Sequence, residues 1–293
     1  MGTVLWHFGT HKTGTTTFQS WLRANEDHAD VNFCLSGHHK NPHEELSLLK
    51  ENPDWFLYSI QSAESEGKIL VISLEETVHL MNDSPSSFLN VVGRFNAAGH
   101  MVRVMGLLRR QGKMKESVYA QVAKQWLVGS IWEDTHYPLN YASWLLPLAK
   151  PLEEGGNKFD VRAFREGEDS LSTLVEMAQL RGGDTKGFPR ANERLSRQKT
   201  LLLAEVAHRE QKQRLFHHFE PRSSNVDYLP IMNPEERRLL RERFQDSNAK
   251  LSEILAEEDL KYLLDESSET EDWRPPDPLD SRDLLEAVRI LGN

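Results

Sequence analysis

A lysine and a run of threonines set between two glycines, Gly9-Thr10-His11-Lys12-Thr13-Gly14-Thr15-Thr16-Thr17, are the residues whose types and spacing most directly suggest chemistry. A loop of small residues that enters a helix leaves several main-chain N–H groups without partners. Those groups and the helix dipole form an anion site, so the expected ligand is a phosphate or a sulfate. A nucleoside-triphosphatase loop, G-x-x-x-x-G-K-[ST], places lysine after the second glycine and a hydroxyl on magnesium. Gly9 and Gly14 keep that separation, but Thr15 and Thr16 follow Gly14, and Lys12 lies inside the loop. The Lys-Ser/Thr pair that would serve ATP and magnesium is missing. A glycine turn with no ligand is the plainer reading, but it needs neither the lysine nor three successive threonines.

Two further groups lie after apolar runs. Lys68-Ile69-Leu70-Val71-Ile72-Ser73 leads into Leu74-Glu75-Glu76, and Val102 to Leu108 leads into Arg109-Arg110-Gln111, with Ser117 eight residues beyond Arg109. In open parallel sheets ligands sit outside the carboxyl ends of the strands, so both groups should lie near the opening loop. A carboxylate there can take a proton from a hydroxyl; alternatively, Glu75 and Glu76 simply begin a helix, where acidic residues favour the dipole. A guanidinium and a hydroxyl suit a phosphate ester, and Arg110 is either a second phosphate ligand or an ion-pair partner. The cluster His38-His39-Lys40-Asn41-Pro42-His43 has no clear metal-ligand spacing and reads as a solvated or acceptor-facing loop. Trp126, Trp132, Tyr137, Tyr141 and Trp144 could stack on sugar rings, with core packing the commoner fate of such side chains.

Lys12-Thr13-Gly14-Thr15-Thr16 matches at every position the K-[ST]-G-T-T pattern of the 5′-phosphosulfate loop of the PAPS-dependent sulfotransferases. The longer string from Gly9 to Thr16 resembles the bacterial branch of that family. Arg109 and Ser117 are similar to its 3′-phosphate element, an arginine at a strand end with a serine eight residues later. The resemblance implies a three-layer α/β domain of the P-loop NTPase-like type with a central parallel sheet. It implies transfer of a sulfuryl group from PAPS to an acceptor hydroxyl, leaving PAP, with no metal required. Thr10, His11, Lys12, Thr13, Gly14, Thr15, Thr16, Thr17, Arg109 and Ser117 would bind the nucleotide. Lys12 would be catalytic, Glu75 the first choice of base, and Glu76 or His11 the reserve. The glutamates and aromatics favour a carbohydrate or glycan acceptor. A non-catalytic PAP-binding module is the alternative, followed by a P-loop small-molecule kinase.

The elements that must position these residues can be read from periodicity. Thr3 to Phe8, Val31 to Leu35, Lys68 to Ser73, Val102 to Leu108 and Lys158 to Phe164 read as strands, and Phe18, Trp21 and Leu22 mark one face of a helix after Gly14. Ser84-Pro85 begins a helix that Gly99 closes, Arg165 to Leu180 reads as helical, and Arg197 to Phe219 as one long charged helix. Asn233-Pro234-Glu235-Glu236 is a capped helix start. Residues 1–265 are expected to form the α/β domain. Residues 266–293 read as an acidic linker with a short helix from Ser281 to Leu291 that docks or makes an oligomer contact.

Composition narrows the function classes. The 35 Lys and Arg against 45 Asp and Glu among 293 residues give a formal charge of −10. That disfavours nucleic-acid binding through a basic surface, and a highly sulfated polyanion as acceptor. The single cysteine, Cys34, excludes an intrachain disulfide framework. No apolar run approaches the roughly 20 residues of a membrane span, and the first residues lack a signal-peptide pattern. A cytoplasmic protein with no membrane span is expected.

Overall fold

The computed structural model describes residues 2–10, 13–25, 31–33, 69–74, 77–124, 137–165, 167–180, 184–185, 188, 195–219, 230–265, 279 and 281–292. The chain groups into two compact units: Met1–Arg110, Asn140–Ala191 and Gln245–Leu264 form the first, and Gln111–Leu139, Asn192–Phe244 and Asp265–Asn293 the second.

The first unit is built on a five-stranded, all-parallel sheet. Its strands are β1 (Thr3–Gly9), β2 (Val31–Phe33), β3 (Ile69–Leu74), β4 (Met101–Leu108) and β5 (Lys158–Ala163), in the order β2-β3-β1-β4-β5. β1 is central, with Phe8 opposite Leu74 on one side and Gly9 opposite Leu107 on the other. Its near-continuous apolar composition follows from this place, because a central parallel strand is covered on both faces.

Alternate residues of β1 serve different helical layers. Leu5 faces a core with Phe18, Trp21 and Leu22 of α1 (Thr15–Ala24) and Leu171, Leu174 and Met177 of α6 (Ser170–Ala178). Trp6 and Phe8 face the opposite layer of α2 (Thr77–Asp83), α3 (Pro85–Ala97) and α5 (Tyr141–Glu154). The Trp6 ring meets Phe88 at 4.8 Å and Phe95 at 6.2 Å, edge to face, while its indole N–H donates to the Thr77 hydroxyl at 3.2 Å. Phe8 meets Trp144 at 5.7 Å. Helices on both faces of a parallel sheet give a three-layer α/β arrangement.

The remaining described helices are α4 (Gln111–Ala123), α7 (Arg197–Glu205), α8 (Arg209–Phe219), α9 (Pro234–Ala249), α10 (Glu257–Leu264) and α11 (Ser281–Leu291). Leu195, Leu203, Val206, Leu215, Phe219, Ala287 and Ile290 make the core of the second unit. The expected single helix from Arg197 to Phe219 is in fact α7 and α8. Val206 between them is extended, at φ −81° and ψ 113°, and turns its β-branched side chain into this core. α6 starts at Ser170, later than the expected Arg165, because Gly167 has φ +91° and the Asp169 carboxylate caps Leu171 N–H at 3.2 Å. The start of α9 is the reciprocal cap expected: Glu236 N–H donates to Asn233 Oδ1 at 2.9 Å and Asn233 N–H to Glu236 Oε2 at 2.7 Å. Among the described residues no helix is long and apolar enough to cross a membrane.

Phe88→Ala would leave a void against Trp6 on a fully buried face. The variant should lose about 3–5 kcal/mol of unfolding free energy by denaturant titration. A loss within measurement error would mean that the α3 layer is not core.

Candidate anion-binding site

β1 and β4 are neighbours whose connections leave in opposite senses, since α1 covers one face of the sheet while α5 covers the other. The crevice between two such strand ends is where open α/β sheets receive ligands. Two segments singled out by composition meet at this edge: the loop from Gly9 into α1, and Arg109 two residues beyond Leu107.

The loop is tied down before it reaches the helix. The Thr10 hydroxyl donates to Leu107 O at 2.7 Å, across to β4, and the Thr13 hydroxyl donates to Thr10 O at 2.7 Å. Both residues are fully buried, so their hydroxyl protons shape the loop. Gly14 then adopts φ +89°, a left-handed conformation that glycine takes without strain, and α1 begins at Thr15. As the N-cap, Gly14 has no side chain to satisfy the first-turn amides, and the first turn carries no acidic residue. A Cβ on Gly14 would strike the Ser170 hydroxyl, and one on Gly9 would strike Thr15. Both glycines are therefore required by close approach.

Thr15 is 4% exposed, and its Oγ1 is buried with no hydrogen-bond partner among the described residues. A buried hydroxyl in that state costs free energy in the ligand-free protein unless an incoming group accepts its proton. This orphaned hydroxyl in the first turn of a helix, whose N-terminus favours negative charge, fits an oxyanion ligand.

Arg109 is half-buried at the end of β4. Its guanidinium lies 5.5 Å from the Phe164 ring centre, and its carbonyl accepts the Tyr141 hydroxyl at 2.7 Å. Burial raises the Tyr141 pKa and the nearby Arg109 charge opposes it, so the hydroxyl stays protonated and keeps its bond. Arg110 has a packing role: its Nε–H donates to Tyr262 O at 2.9 Å and its guanidinium lies 4.1 Å over that ring. Ser117 is buried in α4, which belongs to the second unit, whereas Arg109 belongs to the first. Thr16 and Thr17 lie in the first turn of α1, Thr16 exposed and Thr17 buried. His11, Lys12, Glu75 and Glu76 lie outside the described residues, as do Trp126, Trp132 and the histidines from 38 to 43. Tyr137, Tyr141 and Trp144 are buried, and Trp144 packs against Phe8 and Tyr141.

A polar knot beneath the loop was not foreseen from composition. His7 Nδ1 shares a 2.8 Å hydrogen bond with the Ser73 hydroxyl, and the Gln19 amide of α1 donates to Ser73 O at 2.9 Å. These residues lie two before Gly9, two before Glu75 and five after Gly14, so one knot joins the three segments that lead into the crevice. The available signal was a histidine alternating with Leu5 on one face of an otherwise apolar strand. Burial lowers the His7 pKa from 6.5 to about 3, so the ring is neutral at ordinary pH.

Comparison with family models, with curated proteins and with solved structures finds no match to the chain.

Thr15→Val keeps the shape and removes the orphan. Its ligand-free melting temperature should equal or exceed that of wild type, while retention on an immobilised sulfate or phosphate ester falls; a variant that binds as well as wild type would remove the hydroxyl from the site. As for pH, an unfolded chain protonates His7 near 6.5 whereas the fold excludes that proton until about 3. Stability should therefore fall as pH drops through this interval, by up to ~1.4 kcal/mol per pH unit from this group. His7→Asn should flatten that part of the dependence in denaturant titrations at several pH values.

Proposed function

We propose that the chain is a PAPS-dependent sulfotransferase with a P-loop NTPase-like sheet. The observation that carries the reading is a K-T-G-T-T loop that opens α1 at the strand-end crevice, holding a buried threonine hydroxyl in want of an acceptor. The position of Arg109 at the end of the neighbouring strand supports it, as does the match of Arg109 and Ser117 to the family's 3′-phosphate element.

The bound nucleotide would supply a sulfuryl group already joined to a good leaving phosphate. The chain's part is to hold and polarise that end. The first-turn amides of α1 and the Thr15 hydroxyl bind its oxygens, and Lys12 offsets charge that grows on the departing phosphate. Arg109 and Ser117 bind the ribose 3′-phosphate, the group that separates PAPS from ATP-like nucleotides. Glu75 accepts the acceptor hydroxyl's proton as the new oxygen–sulfur bond forms and the sulfur–phosphate oxygen bond breaks; Glu76 and His11 are the alternatives for that step. The acceptor is proposed to be a carbohydrate or glycan hydroxyl, and the reaction to need no metal.

Thermal-shift titrations with PAP, PAPS, ADP and ATP, with and without magnesium, followed by labelled-sulfate transfer to a panel of glycans, test this directly. PAP and PAPS should stabilise the protein with no magnesium requirement. ATP stabilisation that depends on magnesium would indicate a kinase, and PAP binding without transfer to any acceptor a binding module. Arg109→Ala should weaken PAP by about tenfold to a hundredfold and leave the affinity for adenosine 5′-phosphosulfate, which lacks the 3′-phosphate, nearly unchanged. Lys12→Ala should abolish turnover without loss of fold, and Glu75→Gln should lower it about a hundredfold or more. A wild-type rate in Glu75→Gln would move the base to Glu76 or His11.

A further inference from the structure

We propose that α11 docks the protein onto an anionic phospholipid surface. α11 is amphipathic in an unusual sense, since both of its faces are committed. Its inner face holds Ala287 and Ile290 in the core of the second unit and the Asp283 carboxylate within 3.0 Å of Lys199 Nζ and 3.4 Å of His218 Nε2. Asp283 is 1% exposed, so rolling the helix over would break its buried ion pair with Lys199. The outer face is nevertheless apolar: Leu284, Leu285, Val288 and Leu291 are 52%, 71%, 63% and 40% exposed.

At 100° per residue these four side chains occupy one continuous arc, with Arg282 and Arg289 together on one flank. Both arginines are exposed, and no carboxylate of α11 is exposed. Glu286 is partly buried on the far side of that flank, 3.6 Å from Arg289. The outer arc is therefore an apolar strip edged by two exposed arginines, of which Arg289 is bridged to Glu286.

An anionic bilayer meets both requirements at once. Leucine and valine enter the boundary between headgroups and acyl chains while the arginines remain at the phosphates. A convex helix face needs no shaped groove in a bilayer. A second copy fits less well: in a two-fold, antiparallel pairing of α11 with itself each flank meets the same flank, and arginines face arginines.

The test is co-sedimentation of the full chain with phosphatidylcholine vesicles with and without phosphatidylglycerol, at low and high salt. Wild type should pellet with the phosphatidylglycerol vesicles, and salt should release it in part. Leu285→Glu with Val288→Glu, at exposed positions the fold does not use, should lower partition at least about tenfold. Arg282→Gln with Arg289→Gln should lower it several-fold and remove the salt dependence. Failure of wild type to pellet, or equal pelleting of the Leu285→Glu/Val288→Glu protein, overturns the proposal. So does a dimer in lipid-free solution that the same double variant abolishes, which would give the face to a second copy. Nucleotide binding plays no part in any arm, so the outcome is independent of the proposed sulfotransfer.

Discussion

The hydrogen bond from the Thr10 hydroxyl to Leu107 O is the contact on which the candidate site depends. It joins the first residue after β1 to the end of β4, and so fixes where the chain leaves the sheet before it turns into α1. With Thr13 closing back on Thr10, the chain reaches Gly14, the left-handed N-cap at which α1 begins without a side-chain cap.

That exit geometry is in turn held from below. His7, Ser73 and Gln19 join β1, β3 and α1 through buried hydrogen bonds, in an interior where each such group is costly if unpaired. Burial keeps the imidazole uncharged, which suits a structural hydrogen bond and not proton transfer. The sheet's open side is managed differently. β5 carries Lys158, Asp160 and Arg162 at alternate positions, Arg103 and Arg162 pair with Asp160, and Arg165 reaches Asp259 of α10 at 3.1 Å. Alternating paired charges on an edge strand discourage another strand from adding to it, so the cleft along β5 reads as a protected edge.

Most of the frame was legible from local patterns. Short β-branched and aliphatic runs marked the five strands, which fall where those runs were, and the ends that the structure describes lie within one residue of the expected ones. The reading failed where tertiary contacts override periodicity. One helix became two because Val206 is worth more in the core than in a continuous charged helix, and α6 starts late because Gly167 and Asp169 form a turn and a cap first. Spacing singled out Arg109 but left the role of Arg110 open; in the structure Tyr262 takes up Arg110, while Tyr141 and Phe164 frame Arg109.

The sequence by itself determined the chemistry on offer: a lysine and threonines between two spaced glycines, an arginine and two glutamates after apolar runs, and a net negative charge that confines positive potential to a few places. These are properties of residue type and spacing, set by covalent order. Only the tertiary structure decided that β1 lies between β3 and β4, that Thr10 and Thr13 spend their hydroxyls on the loop while Thr15 does not, and that α11 shows leucines outward. Each of those depends on partners far away in the chain, and whether a polar group is satisfied or a leucine covered is decided only when those partners are brought together.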